Sequence, residues 1–123
     1  MNSRSKGKAG ELEAAHFLSE LFKLAVRRGQ QFKGGADSPD VVGLPGLHLE
    51  VKRVEKLNVE NALRQASREA SPVECPVVLH RSNRTPWKFT LYADDLLRFL
   101  DAAGALIDKG HAETWATERG AIR

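Results

Sequence analysis

Ser38-Pro39-Asp40-Val41-Val42-Gly43-Leu44-Pro45-Gly46-Leu47-His48-Leu49-Glu50-Val51-Lys52 is the stretch on which the fold turns. Leu44-Pro45-Gly46 has turn composition: proline presets one backbone angle and glycine tolerates the others. The runs on either side have strand composition. Folding back about Pro45 sets Asp40 opposite Glu50, since both lie five residues from it. Directly opposed residues of an antiparallel pair have Cβ atoms about 4.5–5.5 Å apart. Side chains return to the same face every second residue. Lys52 therefore joins Asp40 and Glu50 on one face, with Ser38 opposite it. Leu47, Leu49 and Val51 turn the other way, into a core.

Two ionised carboxylates at that range repel, so one takes a proton or a cation neutralises both. Mg²⁺ is a hard ion with oxygen ligands that uses one or two carboxylates. Such an ion activates water and stabilises charge on a phosphoryl oxygen. Lys52 would add a compact positive charge beside the water or the phosphate. An acid-x-Lys triplet alone is common; an Asp placed symmetrically across a turn from it is rarer. Glu11 adds a third acid. It opens a helical run from Gly10 to about Ala25, whose apolar stripe is Leu12, Ala15, Leu18, Phe22 and Ala25. Glu11 sits on the edge of that stripe, whereas Glu13 and Glu20 fall on the polar side. The ordinary alternative for Glu11 is a first-turn charge favoured by the helix dipole.

The chain has 123 residues, enough for one domain with a genuine core. Its 41% hydrophobic and 28% charged content is ordinary for a globular protein. The net charge is +3, but residues 1–35 carry seven Lys or Arg against three Glu. Basic surface attracts a phosphate backbone whatever the base sequence. Arg4, Lys6 and Lys8 precede the first helix, and Arg27, Arg28, Lys33 and Arg53 would surround the acids; Arg81 and Arg84 are more distant. Each taken singly is as well explained as a solvated charge. Cys75 is the only cysteine, which excludes an internal disulfide and fits a reducing cytoplasm. The opening Met1–Lys8 has no apolar run, and no stretch reaches membrane-spanning length. His16, His48, His80 and His111 show no metal-ligand spacing; His48, on the site face two residues before Glu50, reads as strand surface, with support of the acids as the alternative.

Along the chain, residues 1–9 read as a basic flexible arm. A first strand runs from Ala25 to Phe32, a Gly34-Gly35 loop follows, and the hairpin covers about Pro39 to Arg53. Asn58 has N-cap chemistry. Val59, Ala62, Leu63, Ala66 and Ala70 trace an amphipathic helix that Pro72 stops. Pro76–His80 is a buried strand and Trp87–Tyr92 its alternating partner. Asp94 or Asp95 caps a last helix with Leu96, Leu97, Phe99 and Leu100 facing the core and Gly104 ending it. Residues 104–123 form an extension of undecided structure. The fold class is α/β: a single domain with a central mixed sheet flanked by helices, in which the helix after the hairpin crosses over to return a strand to the same sheet.

Lys6-Gly7-x-x-x-Glu11, Pro39-Asp40 and Glu50-Val51-Lys52, followed by the helix that carries Gln65, resemble the PD-(D/E)xK nucleases. Within them the chain resembles the archaeal-type Holliday junction resolvases that also occur in phages. The likeness covers about residues 4–100. It implies a restriction-endonuclease-like domain over 10–103 and a cytoplasmic Mg²⁺-dependent endonuclease, with Mn²⁺ able to substitute. The enzyme would act on branched double-stranded DNA as a homodimer, without a small-molecule cofactor or a membrane. It implies Asp40, Glu50, the Val51 carbonyl and Glu11 as metal ligands, Lys52 as the charge stabiliser, and Ser38 and Gln65 near the scissile strand. The alternatives are a general or nicking endonuclease of the same chemistry, or a non-catalytic DNA-binding protein of this fold.

Overall fold

A computed structural model describes residues 3–29 and 40–122. In order these form α1 (Ser3–Phe22), β1 (Arg27–Arg28), β2 (Val41–Val42), β3 (Leu47–Arg53), α2 (Val59–Glu69), β4 (Cys75–Arg81), β5 (Lys88–Thr90), a 3₁₀ turn (Ala93–Asp95) and α3 (Leu96–Ile122). Cys75, Val77, Val78 and Leu79 are all buried, so β4 reads as an unbroken apolar run and takes the central place in the sheet. It pairs in parallel with β3 from Leu47↔Cys75 to Arg53↔Arg81, and antiparallel with β5 from Val78↔Thr90 to His80↔Lys88. The sheet is therefore mixed, as expected.

Alternation along the strands divides the core in two. Leu47, Leu49, Cys75, Val77 and Leu79 meet Ala14, Ala15, Leu18 and Phe22 of α1 and Ala103 and Leu106 of α3. Val78 turns to the other side, where Ala62, Leu63 and Ala66 of α2 cover it. The side chain of Asn58 accepts the Asn61 amide at 3.0 Å, the expected N-cap, and α2 then carries the chain from β3 across to its parallel neighbour.

Several expectations need correcting. The hairpin does not form as a ladder: β2 pairs antiparallel with β1 (Arg27↔Val42, Arg28↔Val41), while β3 pairs with β4. Between them Gly43 and Gly46 hold φ of 117° and 93°, which swings the chain out of one sheet and into the other. β1 is a two-residue strand: Ala25, Val26 and Gly29 of the expected strand lie outside it, while residues 30–32, with the Gly34-Gly35 loop, fall outside the described residues.

α1 begins at Ser3, so the arm expected over residues 1–9 is helical from that point. Gly7 costs only about 1 kcal/mol in a helix, and the packed turns further along carry the segment. The buried stripe of α1 includes Ala14, while Leu12 is half exposed and Ala25 lies beyond the helix end.

α3 runs through Gly104 to Ile122, so the segment from 104 belongs to the same packed unit, with Leu106 in the core. Its start is turned differently from expectation. The 3₁₀ turn that holds Asp94 and Asp95 leads in, with Tyr92 at its N-cap and no capping hydrogen bond from the Tyr92 side chain. Phe99 packs against the core as expected, with Ala102, Ala103 and Ile107, while Leu96, Leu97 and Leu100 face outward, Leu97 79% exposed. The side chain of Trp115 lies outside the described residues.

Gly43 allows a simple test of the junction between the sheets. Its φ of 117° favours glycine, and an added Cβ would overlap the Ala25 carbonyl oxygen. Gly43→Ala is expected to destabilise the protein by more than about 1 kcal/mol, read as a lower urea midpoint with unchanged slope. An unchanged midpoint would show that this turn is not fixed.

Candidate active site

Asp40 stands at the start of β2, and its Oδ2 accepts the Val51 amide at 2.7 Å. That amide points away from β4, so the carboxylate occupies the edge position where another strand would lie. Asp40 thus reaches Glu50 by bonding to the next residue, not by cross-strand opposition. A strand residue sends its N–H and C=O to the same side, which brings the Val51 carbonyl to this edge as well. Glu50 and Lys52 alternate onto the face that α2 covers. Lys52 Nζ lies 3.6 Å from Glu50 Oε2 and donates to Gln65 Oε1 at 3.2 Å. Gln65, identified from sequence only by the position of its helix, is therefore a direct partner of the lysine.

Glu11 faces the same space from α1, its Oε1 accepting Arg28 Nε at 2.9 Å. Glu11, Asp40, Glu50, Val51, Lys52 and Arg53 line one cleft of about 930 Å³. Asp40 and Glu50 are 8% and 4% exposed. Burial pushes Asp40 up to about 6, with Glu11 adding to it and the Val51 amide and Lys52 opposing. Burial also pushes Glu50 up to about 8, reinforced by the charges of Asp40 and Glu69, with Lys52 again opposing. Lys52 offsets only part of the burial and repulsion that raise the two carboxyls. Its donors are carboxylate oxygens joined by a backbone carbonyl, a set that fits a hard divalent ion such as Mg²⁺.

The arginines are more committed than the sequence suggested. Arg28 holds Glu11. Arg53 bonds Glu13 at 3.3 Å and Asn83 at 3.0 Å. Arg81 bonds Glu13 at 2.7 Å and lies over the Trp87 ring. Glu13, expected on the polar side of α1, is in fact the acid that ties Arg53 and Arg81 to the helix. Arg27, Lys8 and Arg84 are exposed. Lys33 and Ser38, and the side chains of Arg4 and Lys6, lie outside the described residues.

No family model, curated protein or solved structure matches the chain.

Three further residues stand near the acids. His48, expected on the strand surface, is 2% exposed because α2 and the segment leading into β4 lie over that face. Glu69 and Glu74 approach it at 3.7 and 4.0 Å. The alternation of β3 does place His48 on the face of Glu50. Bringing Glu69 there depends on the crossover of α2, which no local pattern reveals.

Proposed function

We propose that the protein is a Mg²⁺-dependent, structure-selective DNA endonuclease that cuts at four-way junctions as a homodimer, with Mn²⁺ able to replace Mg²⁺. The observation that supports this reading most is the convergence of Glu11, Asp40, Glu50 and Lys52 on one cleft. Asp40, Glu50 and the Val51 carbonyl would hold the ion, with Glu11 beside them. The ion would activate water and offset charge on the phosphate. Lys52, positioned by Glu50 and Gln65, sets an ammonium toward the same phosphate. Arg28 keeps the Glu11 carboxylate at the cleft, and Asp40 ties the site to the edge of β3. Lys8 and Arg27 are exposed cations available to flanking phosphates, and such contacts position DNA without reading sequence.

A paired cut across a symmetric junction calls for two identical sites related by a two-fold axis. Leu96, Leu97 and Leu100 supply an uncovered apolar face on α3 that suits a second copy. Leu97→Glu is expected to shift the protein from dimer to monomer in analytical ultracentrifugation; a dimer of undiminished affinity would place the interface elsewhere.

The direct experiment incubates the protein with labelled four-way junction, linear duplex and flap DNA, with and without Mg²⁺. Cutting confined to the junction and to Mg²⁺ supports the proposal. Equal cutting of all three would make it a general nuclease, and binding without cutting would make it a DNA-binding protein.

A further inference from the structure

We propose that His48, Glu50 and Glu69 form a second divalent-cation site, suited to a borderline transition ion such as Zn²⁺ and sharing Glu50 with the cleft. Their ligand atoms lie within 4.8 Å of one another. His48 Nε2 is fully buried and has no hydrogen-bond partner among the described residues, the nearest carboxylate oxygen there being Glu69 Oε2 at 3.7 Å. Buried polar atoms nearly always find a partner, so this one needs an explanation. A neutral imidazole has one N–H and one lone pair. Glu74 Oε1 lies 4.0 Å from Nδ1 and provides an acceptor on that side of the ring. With the proton on Nδ1, the Nε2 lone pair faces carboxylates, which a cation would turn from repulsion into ligation.

The surroundings are arranged for this. Gln65 Nε2 donates to Glu69 Oε1 at 3.2 Å, and Glu69 shares a side-chain hydrogen bond with Glu50, whose proton a cation would displace. The amide of Ser71 donates to Glu74 Oε1 at 2.9 Å and orients the acid behind the imidazole. A carboxylate behind a ligating histidine is a recurrent support for bound zinc. Zinc–nitrogen and zinc–oxygen bonds of about 2.0–2.2 Å bring ligand atoms closer than they stand here, a change that rotation of the two glutamate side chains can supply. The imidazole separates this site from the all-oxygen cleft: it suits zinc and other transition ions, whereas carboxylate and carbonyl oxygens suit Mg²⁺. Occupancy would keep Glu50 ionised and fix its position, so the inner ion would tune the cleft through their common residue.

Zn²⁺ binding is read without DNA, so its outcome is separate from that of the nuclease proposal. Calorimetric titration of the whole protein with Zn²⁺ is expected to show a saturable site. His48→Gln and Glu69→Gln should remove it, and Glu74→Gln should weaken it about tenfold. The double variant His16→Gln with His111→Gln, which changes the other two imidazoles outside the sheet, should bind as the wild type does. X-ray absorption of the zinc-loaded wild type should show one imidazole among oxygen ligands, a result that stands even where a variant folds poorly. Absence of saturable binding, undiminished binding in His48→Gln, loss of binding in the His16/His111 variant, or a spectrum without imidazole would each overturn the proposal.

Discussion

Asp40→Asn and Glu50→Gln are each expected to abolish DNA strand cleavage while leaving junction binding close to that of the wild type. The conservative changes matter because Asp40 has two tasks. Its Oδ2 accepts the Val51 amide at 2.7 Å, and an asparagine carbonyl can still do so, whereas alanine would also release the edge of β3. Glutamine likewise fills the space of the buried Glu50 without its charge. A bound ion contributes several kcal/mol to stabilising a phosphoryl transition state. At about 1.4 kcal/mol per tenfold, its loss should slow cleavage by about a thousandfold or more. Single-turnover cleavage with Mg²⁺ measures the rate, and gel shifts in Ca²⁺ measure binding. A wild-type rate in either variant would remove that carboxylate from the chemistry.

Stability in metal-free buffer is expected to fall as pH rises from about 5 to about 8. Glu50 is raised from 4.5 to about 8 and Asp40 from 3.8 to about 6, both chiefly by burial. Between those limits the folded protein holds protons that the unfolded chain has released, so raising the pH favours unfolding. Below about 4 both states are protonated and the two groups impose no penalty; the penalty is complete only above about 8. Glu50→Gln should therefore flatten the profile between about 6 and 8, where Asp40 contributes little further change. Mg²⁺ should restore more stability at pH 8 than at pH 5.5, because binding requires both carboxylates ionised. Urea unfolding at several pH values, with and without Mg²⁺, gives the result. A wild-type profile that stays level or rises over the upper range would mean that Glu50 is not held in the buried environment described.

What was legible in the sequence is mostly what local chemistry specifies. The α2 cap at Asn58, the buried run of β4 and its antiparallel pairing with β5 follow from neighbouring residues and appear as read, although β5 covers only Lys88–Thr90 of the expected 87–92. Asp40, Glu50, Lys52 and Glu11 do line one cleft, although Asp40 reaches it by another route than the hairpin expected. Opposition across a hairpin gave the right neighbour because a side chain bonding to Val51 and a strand pairing with Glu50 end in nearly the same place. The outward turn of Leu96, Leu97 and Leu100 was not legible, because the phase of α3 is set by the 3₁₀ turn before it and by packing on α1. The burial of His48 was missed for a related reason: a histidine between two leucines looks alike in a one-sided and a two-sided sheet until the covering helix is placed.

The seam between the first and last helices has a consequence for how the protein is made. Gly110 of α3 passes so near the Phe22 carbonyl that a Cβ would collide with it, and His111 Nε2 donates to the Leu21 carbonyl at 3.0 Å. The main core needs Ala14 from one helix and Leu106 from the other. During synthesis, α1 leaves the ribosome tens of residues ahead of the surface that covers it. Its apolar side must stay soluble, or be shielded by a chaperone, for the seconds that translation of the intervening segment takes. Arrest of a nascent chain before about residue 100 should accordingly yield a protease-sensitive species, with protection arriving abruptly once α3 clears the exit tunnel.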